Sequence, residues 1–246
     1  MVTENSPLVV FGALEEEIAL LQASLSNPTA TTIGAYQFLA GSLRDVPVVI
    51  SHTFMGMTNS AVAATLAIER FHPQAIISLG TAGAHDPALH TGDIVIATRA
   101  IATNAYISAS KPQGAGSSSL TWDVYGTEVF TDEGPRQVES FPSDEILRSC
   151  ASRTPYAAGR LFEGTISSGD CWNRELDRIA QLHDYRQSLC EDMETYSIAQ
   201  TCWQLGRLPW LGLRIISNSE WYPDELFDVS VAAHCQEFFL DFLTQL

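Results

Sequence analysis

Positive charge is scarce in this 246-residue sequence. Thirteen Lys and Arg stand against 29 Asp and Glu, a formal charge of −16. Such a surface repels nucleic acid and anionic membranes, so the expected partner is a small molecule or another protein. Long apolar runs are missing too. Nothing approaches the roughly 20 consecutive apolar residues of a membrane span, and "MVTENSPLVVFGALEEE" lacks the basic start and apolar length of a secretory leader. The five cysteines (Cys150, Cys171, Cys190, Cys202, Cys235) are odd in number and show no C-x-x-C spacing, which suggests neither a disulfide framework nor a zinc site. The expected compartment is a reducing cytoplasm. No internal repeat is present.

What the sequence does have is apolar material. With 46% hydrophobic and 17% charged residues it can bury a large core, and we expect one α/β domain over residues 1–246. "LVVFGA" (8–13) reads as a strand feeding the helix "LEEEIALLQASL". "YQFLAGSL" and 47–51 read as an antiparallel pair, followed by a helix from about Asn59 to Phe71. "AIISLGTAGAHDPALHTGDIVIA" reads as a strand (75–79), a glycine-rich loop and a second strand (93–97). Strands alternating with helices predict a sheet with parallel members and helices on its faces. From Ala102 to Pro142 the chain is irregular and rich in Ser, Thr, Gly and Pro, with aromatics spread through it; it reads as an ordered excursion whose length suggests a function or a subunit contact. A helix over Ser143–Ala151, a strand over 160–167, a helix in "CWNRELDRIAQL", a helix over Thr195–Leu205, the strand "PWLGLRIIS" and a final helix from about Asp228 complete the reading.

In open α/β sheets, ligands gather where strands end and helices begin. The segments "GALEEE", "GTAGA", "SSGDCW" and "SNSE" stand at such ends, and "EDMETYS" places a Met and acidic residues at a helix start. Each also has a plain structural explanation. Glutamates in a first helical turn are favoured by the helix dipole, and short glycine motifs form ordinary turns.

Taken in order, "FGALEEEIALL", "LGTAGAHDPALHTGDIVIA", "SSGDCW", "DMETYSIAQTC" and "RIISNSEW" resemble the consecutive signatures of the methylthioadenosine/S-adenosylhomocysteine nucleosidases, within the purine nucleoside phosphorylase superfamily. The resemblance runs from Val9 to the last helix and is weakest over 101–142. It implies a three-layer α/β/α fold around a mixed central sheet, a homodimer in which a neighbour's loop closes part of the pocket, and no metal or organic cofactor. The implied reaction cleaves a ribosyl C–N bond of a nucleoside. That chemistry builds positive charge on the sugar and negative charge on the leaving base, so a site must activate water, hold the ribose and support the base.

The resemblance assigns the first task to Glu17, as general base, and the second to Glu194, which would hold the ribose hydroxyls with Met193 against the sugar. Thr81, Ala82 and Gly83 would line the sugar and water side; Trp172 would stack on the purine, and the backbone near Asn173 would face the base's edge. At the third task the chain departs from the pattern. Adenine-releasing relatives carry an aspartate where this sequence has Asn218. An amide is no acid, but it offers a donor and an acceptor. It can donate to the O6 of a 6-oxopurine and accept from N7–H, which favours hypoxanthine or guanine and discourages adenine without excluding it. Glu220, two residues on, either supplies the missing proton from a buried position or is an exposed loop carboxylate. Glu15, Glu16 and Glu17 stand where phosphorylases resemble one another in bearing arginine, and three carboxylates would repel phosphate, so hydrolysis is expected. A methylthioadenosine/S-adenosylhomocysteine nucleosidase releasing adenine, a phosphorylase and a non-catalytic nucleoside-binding protein are the competing readings. The pocket beyond C5′ is expected from the middle segment, Phe162 or a partner subunit.

Overall fold

The computed structural model describes residues 6–246; residues 1–5, on which part of the leader reading rests, lie outside the described residues. β1 (Leu8–Gly12) is buried along its whole length. Its side chains alternate, Val9 and Phe11 entering one apolar cluster, Leu8 and Val10 another. That two-sided burial marks a strand inside a sheet with both faces covered.

After a single 3-10 turn (Glu15–Glu17) and the short α1 (Ala19–Ala23), β2 (Ser26–Ile33), β3 (Tyr36–Leu43) and β4 (Val46–His52) form an antiparallel meander whose last strand runs parallel to β1. α2 (Met57–Phe71) leads to β5 (Ala75–Ala84) and β6 (Ile94–Ala102). The excursion then contains two small ribbons, β7 (Tyr106–Ile107) with β8 (Asp123–Val124) and β9 (Thr127–Thr131) with β10 (Gly134–Val138), before β11 (Ser140–Pro142) pairs with the edge of β6. α3 (Glu145–Arg153), β12 (Leu161–Ser168), α4 (Leu176–Arg186), β13 (Ser188–Asp192), α5 (Thr195–Gln204), β14 (Trp210–Ser219) and α6 (Ala232–Phe242) complete the chain.

Ten strands form one mixed sheet. β14 pairs parallel with β5 and antiparallel with β6, while β6–β12, β12–β13 and β13–β5 also pair, so five strands close into a ring. α2 and α5 bury Ala63, Ala67, Ile198 and Ala199 on one face. On the other, α1, α3 and α6 bury Leu21, Leu147, Phe238 and Phe239. The three-layer arrangement is therefore the one expected. Among the described residues no helix is long and apolar enough to cross a membrane.

Several local expectations change. "GTAGA" is not a loop: β5 continues through it to Ala84 and stays paired with β14. Its glycines are there for close approach, since a Cβ on Gly80 would lie 2.2 Å from Arg214 Nη1 and 2.8 Å from Glu17 Oε1. The first helix is broken at Ile18, whose φ of −129° is not helical, leaving Glu17 in a tight turn of its own. β2 carries no apolar signal in the sequence because its polar, largely exposed "SNPTATTI" forms the sheet edge. β13 carries little because its end is acidic, with Glu191 and Asp192 on the strand and helix α5 beginning only at Thr195. Phe162 lies at the start of β12, with Arg160 over its ring, at the opposite end of that strand from Ser168.

Candidate active site

A cavity of about 350 Å³ opens where β1, β5, β13 and β14 end, with Glu17, Thr81, Glu194 and Asn218 among its walls. These residues are far apart in sequence and meet because the strands carrying or preceding them are neighbours in the closed ring and beside it.

Glu17 is 2% exposed. Its Oε2 accepts from the backbone N–H of Ala13 at 2.7 Å and Leu14 at 3.0 Å, and its Oε1 from Thr81 N at 2.7 Å and Thr81 Oγ1 at 2.8 Å. The tight 3-10 turn is what brings Ala13 and Leu14 onto a side chain three and four residues ahead. Glu15 and Glu16 point to solvent.

Behind this carboxylate stands a buried ion cluster. Arg214, on β14, places Nε 2.6 Å from Asp192 Oδ2 and Nη2 3.8 Å from Glu194 Oε2, and its Nη2 also donates to Ser78 Oγ at 2.7 Å. Burial opposes the guanidinium's charge, but Asp192 first, then Glu194 and Glu17, hold its proton more firmly than usual. Its Nη1 has no hydrogen-bond partner among the described residues. Asp192 accepts from the hydroxyls of Ser168 and Thr195, so its charge is fully engaged. Glu194 Oε1 accepts from Gly56 N at 2.9 Å. Burial pushes the Glu194 carboxyl up to about 7; Arg214 pulls it down, and Asp192 and Glu17 add to the rise. The "SGD" motif has a supporting part: Asp170 Oδ1 accepts from Met57 N at 2.8 Å at the start of α2, fixing the loop that carries Gly56.

The opposite end of the cavity is different in character. β14 carries an unpaired residue, Ser217, between Ile216, which pairs with Ala82, and Asn218, which pairs with Gly83. Such a bulge re-aims the side chain that follows it. The Ser217 hydroxyl sits 3.1 Å from Asn218 Oδ1 and 3.2 Å from Ala82 O, while Asn218 Nδ2 donates to none of the described residues. Trp172, 54% exposed, meets Phe227 edge-on at 5.7 Å between ring centres. Asn173 does not present a free backbone N–H: that group donates to Glu191 Oε1 at 2.7 Å, and its Nδ2 to Glu191 Oε2 at 2.5 Å. Thr81, Ala82, Gly83, Trp172 and Met193 all line the cavity. Glu220 does not. It lies in an adjoining outer cleft whose wall it shares with Asn218 and Trp172, with Arg174 Nε 3.0 Å from its Oε1.

Sequence reading missed Arg214, Glu191, His85 and Phe227. Arg214 had a signal, a charged residue inside the otherwise apolar "WLGLRIIS". Phe227 had none, because the 220–228 loop folds over the cavity only through tertiary contacts such as Trp221 Nε1 to His85 O at 2.9 Å. Among the described residues no group of three His, Cys, Asp or Glu side chains converges as metal ligands would.

Residues 7–245 match the family model described as the phosphorylase superfamily. The chain belongs to that superfamily. Within it, a 5′-methylthioadenosine/S-adenosylhomocysteine nucleosidase of Halalkalibacterium halodurans is 30% identical over 85% of this chain and 84% of its own length. One of Psychromonas ingrahamii matches at 30% over 85% and 84%. These similarities place the chain in the nucleosidase family of the phosphorylase superfamily. The crystal structure of the Neisseria meningitidis nucleosidase in complex with methylthio-immucillin-A superimposes with a TM-score of 0.80 at 26% identity, covering 98% of this chain and all of that one. The futalosine hydrolase of Helicobacter pylori shares the fold at 21% identity, with a TM-score of 0.78 and coverage of 98% and 99%.

Proposed function

We propose that this chain hydrolyses the N-ribosidic bond of a purine nucleoside and favours a 6-oxopurine base. The enzyme class, N-ribosyl hydrolase, is that of its family. One observation carries the reading. Two buried carboxylates, Glu17 and Glu194, line the same cavity as an amide, Asn218, whose donor is free. Glu17 takes the proton from water. Of the four donors on it, only the Thr81 hydroxyl can rotate away, so that hydroxyl yields Oε1 to the nucleophile. Glu194 accepts from the ribose hydroxyls and supports the positive charge that develops on the sugar. Met193 packs against the sugar and Trp172 against the purine; Ala82 and Gly83 form the floor.

Hydrolysis fits better than phosphorolysis. Arg214 is the one basic side chain in the buried cluster, and Asp192, Glu194 and Glu17 surround it, leaving an excess of negative charge unsuited to phosphate. Asn218 carries the base preference, with its free amide donating to O6. Glu220, engaged by Arg174 in the outer cleft, is read as a wall of that cleft and not as the acid. A second reading, release of adenine, has its own support: the same Nδ2 can donate to N7 of adenine, and the relatives are named for adenine nucleosides.

The single-domain reading is supported by a family match across 7–245. We further read the chain as a cytoplasmic homodimer. Ile107, Trp122, Tyr125 and Phe130 of the excursion are exposed apolar side chains that suit a subunit contact. A phosphate-free hydrolysis assay with inosine, guanosine, adenosine and methylthioadenosine tests the function. The expected result is release of base from the 6-oxo substrates first. No turnover of any nucleoside would overturn the proposal, and preference for methylthioadenosine would select the second reading.

A further inference from the structure

We propose that Glu191 is a specificity-determining residue that reads the N1 and C2 edge of the base, opposite Asn218, and so ranks guanine above hypoxanthine and both above adenine. This deepens the proposed function and rests on its placement of a purine in the cavity.

The placement comes from strand register. Glu191 on β13 pairs with Gly83 of β5, and Asn218 on β14 pairs with the same Gly83 from the other side. Residues directly opposite one another in a ladder point to the same face, and neighbouring strands lie about 4.8 Å apart, so the two side chains flank Gly83 from backbones about 10 Å apart. Gly83 contributes no side chain between them. A Cβ there would sit 3.4 Å from Asn218 Nδ2. The floor is thus open for a flat bicyclic ring, with an amide at one edge and a carboxylate at the other.

Glu191 is 6% exposed and lines the cavity. A carboxylate in that setting needs partners: Asn173 supplies two N–H groups, while His85 Nε2 lies 3.2 Å from Oε2 without making a hydrogen bond among the described residues. His85 is itself buried, with Nδ1 2.9 Å from Ser188 Oγ. A carboxylate has about four acceptor sites, so the two hydrogen bonds from Asn173 leave two for ligand donors. Guanine offers two donors on one edge, N1–H and the 2-amino group, which match a carboxylate as two parallel hydrogen bonds. Hypoxanthine offers N1–H alone. Adenine presents an unprotonated N1, whose lone pair would face the carboxylate's oxygens and leave them unpaired, and a site built for a donor rejects a ligand that lacks one.

The test is equilibrium binding of the free bases guanine, hypoxanthine and adenine to the full chain and to Glu191→Gln. Binding needs no turnover, so a failure of hydrolysis in the nucleoside assay and a failure of this assignment are separate results. The expected order is guanine, then hypoxanthine, then adenine, with guanine favoured over adenine by roughly tenfold to a hundredfold, and with that ratio collapsing in Glu191→Gln. An Asn173→Ala variant, which removes the Nδ2 donor to Glu191 and keeps both the backbone donor and the carboxylate's charge, should weaken all bases and preserve the order. Adenine binding at least as well as guanine in the wild-type chain would overturn the proposal without any variant. An unchanged ratio in Glu191→Gln would assign Glu191 to holding the loop alone and overturn it equally.

Discussion

The two ends of one cavity are built differently. At the end proposed for the ribose the carboxylate of Glu17 is held largely by backbone N–H groups, and Glu194 by Gly56 N and the buried Arg214. At the end proposed for the base the polar groups are the side chains Asn218 and Glu191, under the exposed rings of Trp172 and Phe227. Backbone donors cannot be substituted by mutation, whereas an amide or a carboxylate changes with one residue. On the proposed function, the comparison teaches that bond cleavage is anchored in the fold and base choice is left to side chains. Variants at the first end should therefore change rate for every substrate, and variants at the second should change the order of substrates.

The largest effect is expected at Glu17. Glu17→Gln keeps the side chain's shape and removes the base, so kcat should fall by about 10²- to 10⁴-fold on every nucleoside, with KM and base order little moved. Retention of the full hydrolytic rate would break the assignment of rate to this end.

Glu194 should come next. Glu194→Gln removes a charged acceptor for ribose hydroxyls, and kcat/KM should drop by roughly tenfold to a hundredfold. Its titration sharpens the point. Burial first, against the opposing pull of Arg214, raises the carboxyl to about 7; the group accepts well only when ionised, so wild-type kcat/KM should rise with pH through about 7, and Glu194→Gln should lose that limb. Stability moves the other way. The native chain holds on this group a proton that the unfolded chain releases near 4.5, so this group's contribution falls as pH rises from about 4.5 to about 7. Thermal melts across that range, compared with Glu194→Gln, give the sign.

Asn218→Asp tests the other end. It restores an acid where Nδ2 now lies, and adenine nucleosides should gain relative to 6-oxopurine nucleosides by about tenfold, the loss or gain of one hydrogen bond to the base. A uniform change across all substrates would place Asn218 with the rate-determining groups and erase the distinction between the ends.

That distinction also decides what was legible beforehand. The ribose end could be read from the sequence because its groups sit in motifs: Glu17 follows directly from β1, and Glu194 from β13. Short apolar runs also mark the core strands, which are buried on both faces. Asn218 was visible, but its aim into the cavity depends on the bulge at Ser217, which pairing alone creates. Glu191 could not be read at all. A glutamate before Asp192 looks like one more acid at a helix start until β13 is known to end there and to face Gly83. Arg214 stands out in an apolar strand, yet the three carboxylates that hold its charge come from two other segments, "EDMETYS" and the turn after β1. Contacts between distant segments carry what local pattern does not.

The smallest effect is expected at Glu220, and it bounds the base end. The strand period by itself would point Glu220 to the same side as Asn218, but β14 stops at Ser219 and the chain turns, with Tyr222 N bonding back to Ser219 O at 3.3 Å. The carboxylate then meets Arg174, whose side chain is 70% exposed, in the outer cleft. An ion pair with so much solvent access contributes about 0–1 kcal/mol. Glu220→Gln should therefore leave kcat and the guanosine to adenosine ratio within about twofold of wild type. A loss comparable with that of Glu17→Gln would mean that protonation of the leaving base passes through the outer cleft, and that rate and base choice share one end of the cavity after all.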